Sequence, residues 1–135
     1  MISPYKAVIL VIDDNANNLG ILFDYLRPAG YKVLLAQDGK SAIQQIRYQQ
    51  PDMVLLDIFM PGLDGFDTCR QLREQKGVED IPIIVLTVLS ENEGRKKAFQ
   101  AGATDYITKP IGVEELLTRL DTHLKIRNLQ KNTRE

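Results

Sequence analysis

The fold is decided by the stretch AVILVIDD at residues 7–14, where six apolar residues lead directly into Asp13 and Asp14. An unbroken apolar run rich in branched side chains is typical of a strand that is buried on both faces of a parallel sheet. Similar runs follow at residues 33–36, 53–58, 83–87 and 105–108. The sequence therefore predicts five buried strands, the first of which ends at two carboxylates.

Segments with helical spacing of apolar residues separate and follow these strands. The turns between them are marked by glycine and proline, as at Pro61 and Gly62. Five strands that alternate with five helices predict one α/β domain with helices on both faces of a parallel sheet. The last helix is expected to pack on the sheet through a stripe formed by Val113, Leu117, Leu120 and Leu124.

The composition is that of an ordinary globular domain. The chain has 135 residues, of which 44% are apolar and 26% charged, and this excludes disorder as the main state. Its net charge of -1 lacks the basic excess that favours nucleic acid or an anionic membrane. A single cysteine, Cys69, fits a reducing compartment, and the apolar run at residues 7–12 is too short to span a bilayer. We expect a cytoplasmic protein that contacts neither membrane nor nucleic acid directly.

Polar residues stand where the predicted strands end. Asp13 and Asp14 follow the first strand, Asp57 lies near the end of the third, Thr87 ends the fourth and Lys109 follows the fifth. In an open α/β sheet, ligands bind at the carboxyl ends of the strands, where the strand order reverses. If the order is 2-1-3-4-5, that reversal lies between the first and third strands. The three aspartates are then expected to share one crevice with the threonine and the lysine beside it.

These residue types suit phosphoryl chemistry. Carboxylates in close quarters resist joint ionisation, and Mg²⁺ removes that conflict because it prefers oxygen ligands. A carboxylate can attack phosphorus to give an acyl phosphate, while a lysine and a hydroxyl neutralise the phosphoryl oxygens. Each residue also has an ordinary structural use, since aspartates commonly cap helices or occupy turns. Their joint position at the ends of alternate elements favours the functional interpretation.

At these residues the sequence resembles response-regulator receiver domains of bacterial two-component and phosphorelay signalling. The resemblance spans about residues 6–125 and is carried by VIDDN at 11–15, LLDIFMPGLDG at 55–65, IVLT at 84–87 and AGATDYITKP at 101–110. It implies a flavodoxin-like, doubly wound α/β fold with a five-stranded parallel sheet of order 2-1-3-4-5 and five helices. Val88 and Ile111 depart from the family pattern, and neither change removes a catalytic group.

The resemblance also implies roles for individual residues. Asp57 would be the phosphoacceptor, and the catalytic set would be Asp57, Thr87 and Lys109. Thr87 and Tyr106 would form a switch pair, and the Lys109–Pro110 peptide bond is expected to be cis. The Mg²⁺ ligands would be Asp13 through water, Asp14 directly, Asp57 and the carbonyl of Phe59.

The implied function is a phosphorylation switch that takes a phosphoryl group from a sensor histidine kinase or a histidine phosphotransfer protein and later removes it by its own chemistry. Such a module acts on no metabolic substrate and is not an enzyme in that sense. Three alternatives stay open from the residues. They are a flavin- or nucleotide-binding domain of the same topology, a phosphatase or phosphotransferase with an aspartyl intermediate, and a degenerate receiver that serves only as a scaffold.

The remaining expectations concern surfaces. The resemblance places a partner surface on the fourth helix, fifth strand and fifth helix, which would include Arg95–Lys97, and His123 is expected to be a solvated surface residue. We divide the chain into a receiver domain at 1–125 and a helix extension or tail at 126–135. Ile126 and Leu129 fall nearly opposite the apolar stripe, so they could contact a second copy or a downstream module. The chain is thus either a stand-alone regulator or the receiver of a longer protein.

Overall fold

The computed structural model describes residues 4–60, 63–88 and 91–134. This part of the chain contains seven strands and five helices. In chain order they are β1 (Val8–Ile12), α1 (Ala16–Leu26), β2 (Lys32–Ala36), α2 (Gly39–Tyr48), β3 (Met53–Asp57), β4 (Phe59–Met60), β5 (Leu63–Asp64), α3 (Gly65–Arg73), β6 (Ile83–Thr87), α4 (Glu91–Gln100), β7 (Asp105–Thr108) and α5 (Val113–Arg134).

Five parallel strands form the main sheet in the order β2-β1-β3-β6-β7. These are the five strands predicted from the apolar runs, so the predicted order 2-1-3-4-5 and the flavodoxin-like fold are confirmed. The pairing of β1 with β3 sets Ile12 opposite Leu56, and the pairing of β3 with β6 sets Asp57 opposite Leu86. The strand ends that carry the candidate residues therefore meet at one edge of the sheet.

Apolar side chains on the two faces of this sheet form two cores. Because successive side chains of a strand point to opposite faces, Leu10 and Ile12 join one core while Ile9 and Val11 join the other. Central strands β3 and β6 are buried along their whole length, which explains their unbroken apolar sequence. Cys69 is buried in the first core.

The first helix begins at an asparagine cap. The side chain of Asn15 accepts hydrogen bonds from the main-chain N–H groups of Asn17 at 2.9 Å and Asn18 at 3.1 Å. It thereby satisfies donors that the first turn of a helix leaves unpaired. Since Asn15 supplies the cap, neither Asp13 nor Asp14 serves as the helix cap, although Asp13 Oδ1 accepts a local hydrogen bond from the Asn15 N–H at 3.0 Å.

A small hairpin that the sequence did not predict follows the third strand of the sheet. Strands β4 and β5 pair antiparallel, and the chain then enters α3 at Gly65. The Gly65 N–H donates to the Ile58 carbonyl at 3.0 Å, and a Cβ at Gly65 would lie 2.0 Å from the Ile58 Cα. Glycine is therefore required where this loop closes. The predicted turn at Pro61 and Gly62 lies outside the described residues.

The final helix packs on the sheet through most of the predicted stripe. Leu120 is fully buried, and Leu117 and Leu124 pack partly against the same core. Leu116, which the stripe did not include, is also fully buried, whereas Val113 at the start of the helix is exposed, so the prediction for Val113 is wrong. None of the helices in the described part of the chain combines the length and apolar character needed to cross a membrane.

Candidate functional site

Three aspartates converge at the carboxyl edge of the sheet. Asp13 and Asp14 directly follow β1, and Asp57 is the last residue of the adjacent strand β3. One carboxylate oxygen from each of the three lies within 4.8 Å of the others. The parallel pairing of β1 and β3 produces this meeting, because it brings both strand ends to the same edge.

The environments of these aspartates differ. Asp13 and Asp57 are buried at 1% and 3% exposure, whereas Asp14 is exposed. Burial, reinforced by the nearby Asp57 carboxylate, raises the pKa of Asp13 to about 6, against the opposing hydrogen bond from the Asn15 N–H and the charge of Lys109. Two buried carboxylates and one exposed carboxylate thus lie close together, and their like charges repel.

Among the described residues, Lys109 is the cationic residue whose side chain contacts these carboxylates. Its Nζ donates to Asp57 Oδ2 at 2.8 Å, and its own side chain is half-buried. The main chain holds the lysine in place, since the Lys109 N–H donates to the Thr87 carbonyl at 2.7 Å. The Lys109–Pro110 bond is cis, as predicted. Three carboxylates and one ammonium leave the crevice with a formal charge of -2.

The carboxylates fit a hard divalent cation. Mg²⁺ is held in proteins by one or two carboxylates together with water and substrate oxygens, and the site offers three carboxylate oxygens in one cluster with an excess negative charge. Asp13, Asp14 and Asp57 are thus placed to hold it. Phe59 begins β4 two residues beyond Asp57. The assignment of its carbonyl as a ligand stays a prediction.

Thr87 and Tyr106 occupy the same face of the sheet on neighbouring strands. Thr87 is fully buried at the end of β6 and pairs with Thr108, and Tyr106 precedes Thr108 by two residues on β7. Since residues two apart on a strand share a face, both side chains lie on the side that α4 covers. The Tyr106 ring meets the Phe99 ring of α4 edge to face at 6.3 Å. A change at the buried threonine therefore has a short path to an aromatic contact of α4.

An apolar hollow that the sequence did not reveal opens beside the acidic crevice. Asp13 and Lys109 form its polar wall. Ile21 of α1 is 49% exposed there, although its helix is otherwise striped for burial. The signal that could have found the hollow was an isoleucine outside the Leu19, Leu22 and Leu26 stripe. The other lining residues are Asn18, Leu22, Tyr25, Leu86, Pro110 and Ile111.

A charged network joins β7 to α5, and the prediction for His123 is wrong. The His123 side chain is only 16% exposed, and its Nε2 lies 2.9 Å from Asp105 Oδ2. Arg119 Nη1 also donates to both Asp105 oxygens, at 2.8 and 2.9 Å. These hydrogen bonds oppose the effect of burial and lower the pKa of Asp105. The histidine is held against the sheet because α5 lies along the start of β7.

Comparison with known proteins agrees with this geometry. The family model described as "Response regulator receiver domain" matches residues 9–121. The chain is 44% identical to the response regulator MprA of Mycolicibacterium vanbaalenii over 117 residues, which are 87% of this chain and 50% of that protein. The chain spans about half the length of the curated relatives it matches, several of which are named transcriptional regulators.

Solved structures give the same result. A putative response regulator from Chloroflexus aurantiacus superposes with a TM-score of 0.83 at 34% identity, over 88% of this chain and 98% of that one. The receiver domain of the sensor histidine kinase PA1611 from Pseudomonas aeruginosa superposes with a TM-score of 0.81 at 34% identity, over the same shares of the two chains. That structure has a magnesium ion coordinated in its active-site cleft.

Proposed function

The chain belongs to the response regulator receiver domain family, and on that premise we propose that its Asp57 carboxylate accepts a phosphoryl group from a sensor histidine kinase or a histidine phosphotransfer protein. The observation that carries the proposal is the contact of Lys109 Nζ with Asp57 Oδ2 at 2.8 Å, inside a cluster of three carboxylates. Burying a carboxylate without partners is costly, and the lysine beside Asp57 offsets that cost. A carboxylate held in this way can act as a nucleophile toward phosphorus.

The proposed step forms one bond and breaks another. An oxygen of Asp57 attacks phosphorus, the P–N bond to the donor histidine breaks, and the donor imidazole keeps the electron pair. Lys109 neutralises charge on the phosphoryl oxygens, and the Thr87 hydroxyl donates to one of them. The phosphoryl group is later removed by hydrolysis. Water attacks the phosphorus of the acyl phosphate, the P–O bond to Asp57 breaks and inorganic phosphate leaves.

Mg²⁺ is the cofactor that the acidic cluster supports. We assign Asp14 as a direct ligand, Asp13 as a ligand through water, and Asp57 and the Phe59 carbonyl as the other protein ligands. When bound, the ion supplies positive charge that offsets the repulsion between carboxylates and phosphoryl oxygens. The buried aspartates would help to hold the ion, and their desolvation makes the cluster unfavourable without a cation.

The phosphoryl group then biases a switch. It offers the Thr87 hydroxyl a new acceptor near Asp57, and inward movement of Thr87 leaves space for the Tyr106 ring, which shares its face of the sheet. This is a population shift caused by one new charged group. The surface that changes is the one on α4, β7 and α5, where Arg95, Phe99, Tyr106, Glu115 and Arg119 line a hollow. A second copy or a downstream module is the proposed reader of this surface.

The donor is proposed to be a protein. The apolar hollow beside Asp13 and Lys109 gives a donor protein a contact surface next to the reacting carboxylate. A flavin or nucleotide is disfavoured, because the carboxylates of the crevice repel phosphate unless a metal intervenes. The net charge of -1 lacks the basic excess that favours nucleic acid, so we propose no nucleic-acid contact for these residues. The proposed compartment is the cytoplasm.

Phosphorylation by a small acyl phosphate tests the proposal. With Mg²⁺ present, the wild type should gain one phosphoryl group by intact mass, and Asp57→Asn should gain none. The matched control is Asp67→Asn, which changes an exposed aspartate on α3 and should behave as the wild type. Equal labelling of Asp57→Asn and the wild type would show that another residue is the acceptor. Phosphotransfer from purified histidine kinases then identifies the donor.

A further inference from the structure

Arg73, the last residue of α3, connects two loops at the edge of the sheet opposite the acidic crevice. Its Nη1 donates to the carbonyls of Val78 and Ile81, both at 2.8 Å, in the loop before β6. Its Nε and Nη2 donate to the Gly102 carbonyl at 3.1 and 2.7 Å, in the loop between α4 and β7. One guanidinium thus holds the end of α4 and the start of β6 in a fixed relation.

These contacts use the shape of the guanidinium. Burial lowers the pKa of Arg73, and the nearby charges of Asp80 and Glu79 act in the opposite direction. The hydrogen-bond acceptors around Arg73 are main-chain carbonyls and the Thr104 hydroxyl, not carboxylates. A planar fork of five donors can serve two loops at once, whereas an ammonium concentrates its donors at one point.

The Gly102 carbonyl belongs to the turn that ends α4. Ala103 N–H donates to Ala98 O at 2.9 Å and Gly102 N–H to Phe99 O at 3.1 Å, which is the pattern of a Schellman motif. Gly102 has φ of +99°, which favours glycine, and a Cβ there would lie 3.4 Å from Arg73 Cγ. Arg73 therefore binds the C-terminal end of α4 at a turn whose geometry depends on glycine.

The same arginine touches the start of β7. Its Nη2 lies 3.4 Å from Thr104 Oγ1, and that hydroxyl accepts from the Ile83 N–H at 3.1 Å. The Thr104 N–H also donates to the Ile83 carbonyl at 2.8 Å. The starting ends of β6 and β7 are thereby aligned. Their other ends lead to Thr87 and Lys109.

Helix α4 depends on such an anchor because its own packing is slight. Among its described side chains, Ala98 is the buried one, and an alanine removes little apolar surface from water. Helix α3, in contrast, buries Phe66, Cys69 and Leu72. The N-terminal end of α4 begins four residues after Thr87. Thr87 thus precedes one end of α4 by four residues, and Arg73 contacts the turn at the other end.

We propose that Arg73 is a positioning residue of the phosphorylation switch, which fixes the C-terminal end of α4 so that a displacement at Thr87 turns the helix about Gly102. This inference rests on the proposed phosphorylation of Asp57. The ten residues of α4 extend about 15 Å, so a small turn at the fixed end becomes a larger displacement at the far end. The exposed residues Arg95, Lys96, Lys97 and Phe99 are carried with it. Without the anchor, the same displacement would be dissipated in the loop at Gly102.

The test variant is Arg73→Lys, which keeps the charge and the aliphatic stem and loses the fork. The matched control is Arg70→Lys on the exposed side of the same helix, where Arg70 pairs with Asp67. All three proteins are phosphorylated with a small acyl phosphate and Mg²⁺, and amide shifts of residues 95–100 and Tyr106 are compared before and after. Arg73→Lys should be phosphorylated to the wild-type extent while these shift changes fall below half of the wild-type values. Arg70→Lys should match the wild type in both respects.

Hydrogen exchange separates this inference from the function on which it rests. In the unphosphorylated protein, the Ala103 amide should exchange about tenfold faster in Arg73→Lys than in the wild type, because its anchor is weakened. If the wild type takes up no phosphoryl group, the proposed function fails, and the exchange result still reports on the anchor. Unchanged exchange, or wild-type shift changes in phosphorylated Arg73→Lys, would overturn the role of Arg73. Should Arg73→Lys not fold, Gly102→Ala loosens the same contact from the other side and must show the same loss of response.

Discussion

Lys109 Nζ lies 2.8 Å from Asp57 Oδ2 and is the direct cationic partner of the proposed phosphoacceptor. The contact joins the loop after β7 to the end of β3, two elements that are separated in the sheet by β6. The lysine reaches Asp57 because the N–H of Lys109 is bound to the carbonyl of Thr87, the last residue of β6. The ammonium is therefore positioned before any phosphoryl group arrives. Such a preorganised charge lowers the barrier to phosphoryl transfer.

Replacement of Lys109 tests this arrangement. We expect Lys109→Met to slow phosphorylation of Asp57 about 100-fold, the typical cost of removing one preorganised charge-stabilising group. Mg²⁺ affinity should not fall, because the substitution removes a competing cation from the carboxylates. The measurement is the rate of phosphoryl uptake together with a Mg²⁺ titration by calorimetry, with exposed Lys40→Met as the control. A wild-type rate in Lys109→Met would contradict the role of the lysine.

Asp14 is the carboxylate of the cluster that faces water, and we assign it as the direct Mg²⁺ ligand. Asp14→Ala should therefore abolish the Mg²⁺ dependence of phosphorylation and the heat of Mg²⁺ binding. Asp24→Ala changes an exposed aspartate on α1 and should leave both unchanged. If Asp14→Ala retains its Mg²⁺ affinity, the ligand assignment is wrong.

Replacement of Thr87 is expected to separate phosphorylation from its effect on the α4, β7 and α5 surface. Thr87→Ala should still be phosphorylated at Asp57, since the nucleophile and Lys109 remain. Its amide shifts on α4, β7 and α5 should change little on phosphorylation, because no hydroxyl is drawn toward the phosphoryl group. Thr87→Ser keeps the hydroxyl and should restore the response. Wild-type shift changes in phosphorylated Thr87→Ala would refute the switch assignment.

We expect Asp105 to make the free energy of unfolding depend on pH. Burial disfavours its charge, yet hydrogen bonds from His123, the Tyr106 N–H and Arg119 hold the pKa of Asp105 below its ordinary value. A carboxyl with a lowered pKa in the folded state contributes its full stabilisation above the unfolded pKa of about 4 and loses it as the pH falls through the folded value. We expect Asp105→Asn to lower the free energy of unfolding by about 2 kcal/mol at neutral pH. The difference from the wild type should narrow below about pH 4.

Urea unfolding across this pH range measures that gap between Asp105→Asn and the wild type. Asp67→Asn, at an exposed position, serves as the control and should show a small difference at every pH. A gap for Asp105→Asn that stays constant from neutral to acidic pH would mean that its carboxylate charge contributes nothing.

The far end of α5 is the subject of the last prediction. Ile126 and Leu129 are 46% and 65% exposed on a helix that continues to Arg134. Arg127 holds this part of the helix to the sheet through Asp52 Oδ1 at 2.8 Å. We expect the two apolar residues to contact a second copy, so that the sedimentation coefficient of the wild type rises with concentration and that of Ile126→Ser/Leu129→Ser does not. Identical monomer profiles would leave a solvated helix end as the correct interpretation.

The sequence by itself determined the main sheet and the polar residues that stand at its strand ends. Strands buried on both faces need unbroken apolar runs, so each of the five was visible, and an aspartate after or within such a run stood out. The strand order then followed from the resemblance, and it brings Asp13, Asp14 and Asp57 to one edge. The sequence also indicated that Lys109 belongs beside them.

Only the tertiary structure decided how neighbouring elements meet. The β4–β5 hairpin has two residues in each strand, too few to produce a periodic pattern. The side of α5 that packs depends on the direction from which the helix approaches the sheet, and the leucines allow more than one choice, so Val113 was placed in the core in error. The contacts of His123 with Asp105 and of Arg73 with Gly102 join residues 18 and 29 positions apart. Local spacing carries no information about such pairs, because they form only when the completed fold brings distant segments together.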